Sequence, residues 1–233
     1  LEAWAYARAA AIAVPTAGIS RALERHPAAA GRVERIGPAV DTRRFAGVPP
    51  PQPRAPLEVL YAGTVGLAQG IDTLVSAARL AGPDGVRLTI AGGGAEAERV
   101  RRLAADHVTW RGIAPAAEVP ALYGAAHAGV VLLRDRPVFD GAVPTKLLEC
   151  MAAGRAVVLS AGGEAAELVR RTGVGVVVPP EDAAALAAAF RSLAADPAGT
   201  AEIGARGRRA AAEEFDRAGS ADRWTALLAR VAC

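Results

Sequence analysis

Asparagine is absent from this chain and lysine occurs once, as Lys146. Ala, Gly and Arg crowd the sequence instead, as under a GC-rich coding bias that places Arg wherever Arg will serve. A lysine kept against that bias marks a position where a compact ammonium does what a planar guanidinium does badly. Cysteine is nearly as scarce. Cys150 and Cys233 have neither metal-ligand nor redox spacing, so a disulfide scaffold is excluded and a reducing, cytoplasmic setting is expected. Aromatics make up 4% of the residues and the net charge of +3 is scattered, with no basic stripe. A nucleic-acid partner is therefore not expected. No run of about eighteen apolar residues occurs, so no membrane-spanning helix is expected. The opening Leu1-Glu2-Ala3-Trp4 lacks the layout of a secretory signal, and Met151 is the single methionine. The chain is expected to be a fragment, a processed product or an edited one. It is 52% hydrophobic, enough for a full core without disulfide staples.

What is present is alternation. From Leu57 onward short apolar runs exchange with helical patterns. Strands are expected at Leu57–Ala62, Val86–Ala91, Val108–Arg111, Ala128–Leu133, Ala156–Ser160 and Val174–Val178. Helices are expected at Ile71–Ala81, Ala95–Ala105, near Ala116–Ala125, from Pro144, at Glu164–Arg171 and from Asp182 onward. Buried β-branched strands separated by helices predict an α/β fold, a doubly wound parallel sheet of six strands. Ligands of such sheets bind at the carboxyl ends of the strands. Residues 1–46 read as helix, short strand, helix, short strand, too little for a complete domain. A Pro-rich run over 47–56 follows, an extended semi-rigid linker. In the last segment, 216–233, Trp224, Leu227, Leu228 and Val231 form one apolar stripe, expected to pack on Leu1–Arg25.

Three loops invite a ligand. Gly92-Gly93-Gly94-Ala95-Glu96-Ala97 satisfies a loose Gly-x-Gly-x-x-Ala pattern. It follows the second strand of its unit and has no downstream acid, which argues against a dinucleotide oxidoreductase. Gly63-Thr64-Val65-Gly66 follows the first strand and precedes a helix. It is no Walker loop, yet its small residues let an anion approach the backbone. The third loop leads into Pro144-Thr145-Lys146-Leu147-Leu148-Glu149, where Pro opens a helix and Gly154 closes it. A cation in the first turn is disfavoured by the helix dipole unless an anion is near. Lys146 and Glu149 share a face; Leu147, Leu148 and Met151 face the core. The plain alternative is a surface Lys–Glu pair.

Together these pieces resemble the carboxyl-terminal, donor-binding half of a GT-B retaining glycosyltransferase of the group 1 (family 4) type. Arg35-Ile36-Gly37-Pro38-Ala39-Val40-Asp41 with Phe45 is similar to its interdomain signature. Tyr61-Ala62-Gly63 with Gln69–Leu74 is similar to its first donor loop. Ala91–Gly94 with Val108–Gly112 is similar to the strand pair around the base. The most specific piece is Val143-Pro144-Thr145-Lys146 with Glu149 to Val158. It resembles the sub-branch that builds surface polysaccharides from amino-deoxyhexose donors.

The resemblance implies a Rossmann-like GT-B donor domain over 57–215. It also implies a helical and strand remnant of an acceptor-side domain over 1–46, and a C-terminal helix over 216–233 that crosses back to it. The co-substrate would be a nucleoside-diphosphate sugar, with no cofactor and, since no Asp-x-Asp closes a strand, no metal. Lys146 and Glu149 are the candidate catalytic residues, Glu149 by accepting from the ribose hydroxyls. The diphosphate would meet amides near Gly63, Thr64 and Gly66 and near Ala142, Val143 and Thr145, plus the Lys146 ammonium. Backbone at Arg111, Gly112 and Ile113 would hold the base. Of the family's two acids eight apart, the second is Glu149; the first falls on Gly141, beside Asp140. Gln69 stands where the family has a base; by charge balance, Lys146 would supply the missing positive charge in the sub-branch with this motif. His26, His107 and His127 are expected to be surface or packing residues. The acceptor, a glycan or glycolipid, and any peripheral attachment to the inner membrane face would come through the missing domain. The alternatives are a GT-B nucleotide-sugar epimerase and a non-catalytic nucleotide-binding module.

Overall fold

A computed structural model describes residues 1–103 and 108–232. The expected His107 and the end of the helix expected to reach Ala105 lie outside the described residues, as does Cys233. The first segment holds α1 (Glu2–Arg8), β1 (Ile12–Val14), α2 (Ala17–Glu24) and β2 (Val33–Arg35). β1 and β2 pair in parallel, Ile12 opposite Val33. After the Pro-rich run come β3 (Leu57–Ala62), α3 (Ile71–Ala81), β4 (Val86–Ala91), α4 (Ala97–Leu103), β5 (Val108–Gly112), α5 (Val119–Ala125) and β6 (Ala128–Leu132). Then follow α6 (Thr145–Ala152), β7 (Ala156–Ser160), α7 (Gly163–Thr172), β8 (Gly175–Val178), α8 (Ala183–Ala195), α9 (Pro197–Glu214) and α10 (Arg217–Val231).

The sheet is six-stranded, in the order β5-β4-β3-β6-β7-β8, and every pairing is parallel. β6 and β7 are buried along their whole length, the pattern of strands covered on both faces. One face packs Leu74, Val75, Leu186 and Phe190 from α3 and α8. The other packs Leu147, Leu148, Met151 and Val169 from α6 and α7. The strand order reverses between β3 and β6, so the loops leaving their carboxyl ends diverge and open a crevice. Those loops are Gly63–Gly70 and Leu133–Pro144.

Two glycines lock the floor of that crevice. The Gly63 amide donates to Ala91 O (2.9 Å) and the Val65 amide to Gly93 O (2.9 Å), drawing the β3 and β4 loops together. A Cβ on Gly92 would lie 1.8 Å from Gly63 O. No side chain fits there without separating the two loops. Gly92→Ala should therefore destabilise the domain by about 3 kcal/mol or more. A urea melt with an unchanged midpoint would show that the loops part easily.

Arg155 begins β7's approach and is fully buried, with no carboxylate partner among the described residues. Its guanidinium donates to Tyr123 O (2.6 Å), to Pro49 O (2.6 Å) and more weakly to Gly124 O (3.4 Å). It thus ties the linker to the last turn of α5, whose C-terminal carbonyls carry partial negative charge.

In α10 the stripe is only partly covered. Leu227 is buried, whereas Trp224 and Leu228 stay 43% and 58% exposed. The helix is anchored at its start. The Arg217 amide donates to Val40 O (3.0 Å) and Thr42 Oγ1 donates to the Asp216 carboxylate. Near its end Arg230 pairs with Glu34 of β2. These ties fall on 34–42, beyond the Leu1–Arg25 stretch that the stripe was expected to meet.

Candidate functional site

The crevice holds a pocket of about 290 Å³, lined among others by Gly63, Thr64, Gly92, Gly93, Ile113 and Glu149. Strand ends fix the glycines, and α6 brings Glu149 to the same rim. Lys146, one turn earlier, reaches over Gly63. A Cβ on Gly63 would lie 2.9 Å from Lys146 Nζ, and φ is +138° there, so glycine clears the space for the ammonium. Nζ donates to the Tyr61 hydroxyl at 2.7 Å and sits 4.1 Å from the centroid of its ring. The Tyr61 hydroxyl donates in turn to Thr64 O at 2.5 Å. Burial lowers the Lys146 pKa to about 8, against the pull of the Glu149 carboxylate. Burial also pushes the Tyr61 phenol up, so it stays neutral.

Glu149 does not pair with Lys146 as a surface couple would. Its ion-pair partner is Arg44, 3.8 Å away across the linker. Arg44 also donates to Ala116 O (2.7 Å). Burial raises the Glu149 pKa, while Arg44 and Lys146 lower it. Arg44 and Tyr61 lie within the quoted signatures, but nothing in their spacing pointed at these partners.

The amide cradle at Gly63–Gly66 requires correction. The Gly63 and Val65 amides are spent on the β4 loop, and the Gly66 amide donates to Gln69 Oε1 (3.1 Å). Among the described residues only the Thr64 N–H remains without a protein acceptor there. At the other loop Ala142 N donates to Phe139 O (2.9 Å). The amides of Val143, Thr145 and Lys146 have no acceptor among the described residues at the start of α6. Gln69, in the place of a basic residue, therefore braces the loop. So does Arg134, which donates to Leu67 O (2.8 Å) and Glu181 (2.6 Å); the sequence reading missed it.

Other expected residues sit outside the pocket. Arg111 is exposed and faces Glu118 at 3.8 Å, because β5 is an edge strand. Gly112 O is taken by the Gly92 amide (2.7 Å), and Ile113 lines the pocket. Asp140 is exposed, with its carbonyl accepting from Glu164 N (2.7 Å). Gly141 packs on the start of α2, where a Cβ would lie 3.4 Å from Ile19 N. A Cβ there would make ordinary contact with α2, and the position the family pattern gives to an acid is a glycine in this chain. The Glu164 carboxylate instead accepts from the amides of Ala17 (3.0 Å) and Gly18. His127 is a packing residue: Nδ1 accepts from Glu58 N (2.9 Å) and Nε2 faces Gln52 O (2.7 Å).

A crevice at the sheet's switch point, with an anion-ready helix start and a carboxylate at its rim, is the frame that the comparisons decide. The family model described as "Glycosyl transferases group 1" matches residues 56–196. The chain belongs to the group 1 glycosyltransferases. This group 1 glycosyltransferase chain is 33% identical over 223 residues to the GDP-mannose-dependent alpha-(1-6)-phosphatidylinositol monomannoside mannosyltransferase of Mycobacterium tuberculosis. The match covers 87% of this chain and 55% of that protein. It is 34% identical over 177 residues to the colanic acid biosynthesis glycosyltransferase WcaL of Escherichia coli K12, covering 70% and 43%. The chain spans about half the length of the curated relatives it matches. Sucrose-phosphate synthase from Thermosynechococcus elongatus superposes with a TM-score of 0.82 at 26% identity, over 99% of this chain and 60% of that one. Anabaena Alr3699/HepE, solved with UDP-glucose, shares the fold at a TM-score of 0.80 and 19% identity, over 97% and 65%. The architecture is thus the Rossmann-like α/β fold of GT-B glycosyltransferases. Among the described residues no helix is long and apolar enough to cross a membrane.

Proposed function

We propose that this chain is the donor-binding half of an enzyme that transfers a sugar from a nucleoside-diphosphate sugar to a hydroxyl acceptor with retention. The product would be a polysaccharide or glycoconjugate. Residues 57–215 bind the donor. Residues 1–46 belong to the acceptor side, through which a glycan or glycolipid arrives at the cytoplasmic face of a membrane. The observation that carries the reading is the Lys146 ammonium, held above Gly63 beside a pocket that Glu149 lines. Negative charge develops on the leaving diphosphate, and preorganised donors there lower the barrier. The donors are the Lys146 ammonium, the Thr64 N–H and the open amides of Val143, Thr145 and Lys146. They surround a helix start, where an anion is favoured. No metal takes part in this scheme. Glu149 accepts from the ribose hydroxyls, and Ile113 walls the base. Titration of the chain with uridine and guanosine diphosphates by calorimetry tests this reading, and absence of binding to either sinks it. Sugar transfer by the full-length gene product tests the reaction.

A pH dependence follows. The free site loses its ammonium as pH rises through about 8. The diphosphate is anionic throughout that range, so affinity should hold near pH 7 and be about tenfold lower at pH 9. Lys146→Met should bind weakly at both values. A flat profile in the natural chain would place the ammonium away from the phosphates.

A further inference from the structure

Lys146 has four rotatable bonds and one job in the proposed site, so something must hold its head still. Among the described residues it has one polar partner. Tyr61 lies on β3, 85 residues away in sequence, and its hydroxyl accepts from Nζ at 2.7 Å. That same hydroxyl donates to Thr64 O at 2.5 Å, and its ring lies 4.1 Å beneath the ammonium. Tyr61 is itself fully buried. We propose that Tyr61 is a positioning residue for the donor diphosphate, aligning the Lys146 ammonium with the Thr64 N–H over Gly63. The inference rests on the donor-site reading above.

The geometry gives the phenol two tasks that no other side chain performs among the described residues. It satisfies one of the three ammonium protons and leaves two for the ligand. Through Thr64 O it also fixes the peptide plane neighbouring the one free amide of the β3 loop. The ring adds a cation–π contact that a compact ammonium makes well at this distance. The charged and titratable groups around Nζ are Tyr61 from β3 and Glu149 from α6 itself. Tyr123 of α5 donates to the Lys146 backbone carbonyl (3.3 Å), and Arg44 stands behind Glu149. Tyr61 is the only one of these bonded to Nζ among the described residues.

Tyr61→Phe keeps the ring and removes the hydroxyl. Affinity for uridine and guanosine diphosphates should fall about tenfold at pH 7, the usual effect of a hydrogen bond to a charged group. In the Lys146→Met background the same change should have almost no further effect, since Tyr61 acts through Lys146. Because the chain has one lysine, ¹³C-labelled lysine gives one ε-carbon resonance, which titrates Lys146 without any ligand. Its midpoint should lie near 8 in the natural chain and lower in Tyr61→Phe, because the lost acceptor favoured the charged form. Unchanged affinity and an unchanged midpoint in Tyr61→Phe would overturn the proposal. So would a tenfold loss that persists in the Lys146→Met background. If Lys146→Met alone binds like the natural chain, the donor-site reading fails first, and the ligand-free titration still judges the Tyr61–Lys146 link.

Discussion

Lys146→Arg should bind nucleoside diphosphates at least about tenfold less tightly than the natural chain, although the charge is kept. The reason is space. Nζ is wedged between the Tyr61 ring, 4.1 Å below its position, and Gly63, whose missing Cβ would lie 2.9 Å away. A guanidinium spreads its charge over a plane of four heavy atoms and needs a flat slot. It would be pushed out of line with the Thr64 N–H. Glu149→Ala should also cost about tenfold, by removing a charged acceptor for buried hydroxyls. Calorimetry near pH 7, with circular dichroism to establish folding, decides both. If neither substitution changes affinity, the nucleotide site is misplaced.

Arg155→Met should lower stability by about 3 kcal/mol, a drop of about 6–12 °C in Tm for a domain of this size. Methionine nearly matches the volume, so the loss comes from hydrogen bonds. Pro49 O loses its 2.6 Å donor, and Tyr123 O keeps only the Ala126 amide (3.1 Å). Buried arginine has its own desolvation cost, visible as a pKa pulled down to about 10. Were that cost the larger effect, the methionine chain would match or exceed natural stability. The carbonyls at the end of α5 argue otherwise, since they already offer a cation a favourable field. Differential scanning calorimetry separates the two outcomes.

Much of the fold was legible because it depends on local pattern. Leu57–Ala62, Val86–Ala91, Ile71–Ala81 and Ala156–Ser160 were read with the bounds they have, as apolar runs between Gly and Pro punctuation. Lys146 and Glu149 were legible as neighbours on one helix face. Their partners were not, because partners depend on register. Tyr61 meets Lys146 only once β3 lies beside β6 and the loop after β6 folds back to start α6. Arg44 meets Glu149 only once the linker crosses the domain. The amide cradle failed for a related reason: a glycine-rich loop looks open in sequence, but the β4 loop claims its N–H groups in three dimensions. The Arg111–Glu118 pair was equally out of reach, because nothing in its own strand announces that β5 is an edge.

The interlock of Gly63 with Gly92 also bears on how a ligand would be captured. Two loops joined backbone to backbone form a finished surface before any nucleotide arrives. Little conformational entropy is left to surrender on that side of the pocket, so ordering costs fall mainly on the ligand. Association should then be governed by encounter and orientation, with no slow loop closure over the β3–β4 floor. Differences in affinity among nucleotides should accordingly appear in how fast they leave.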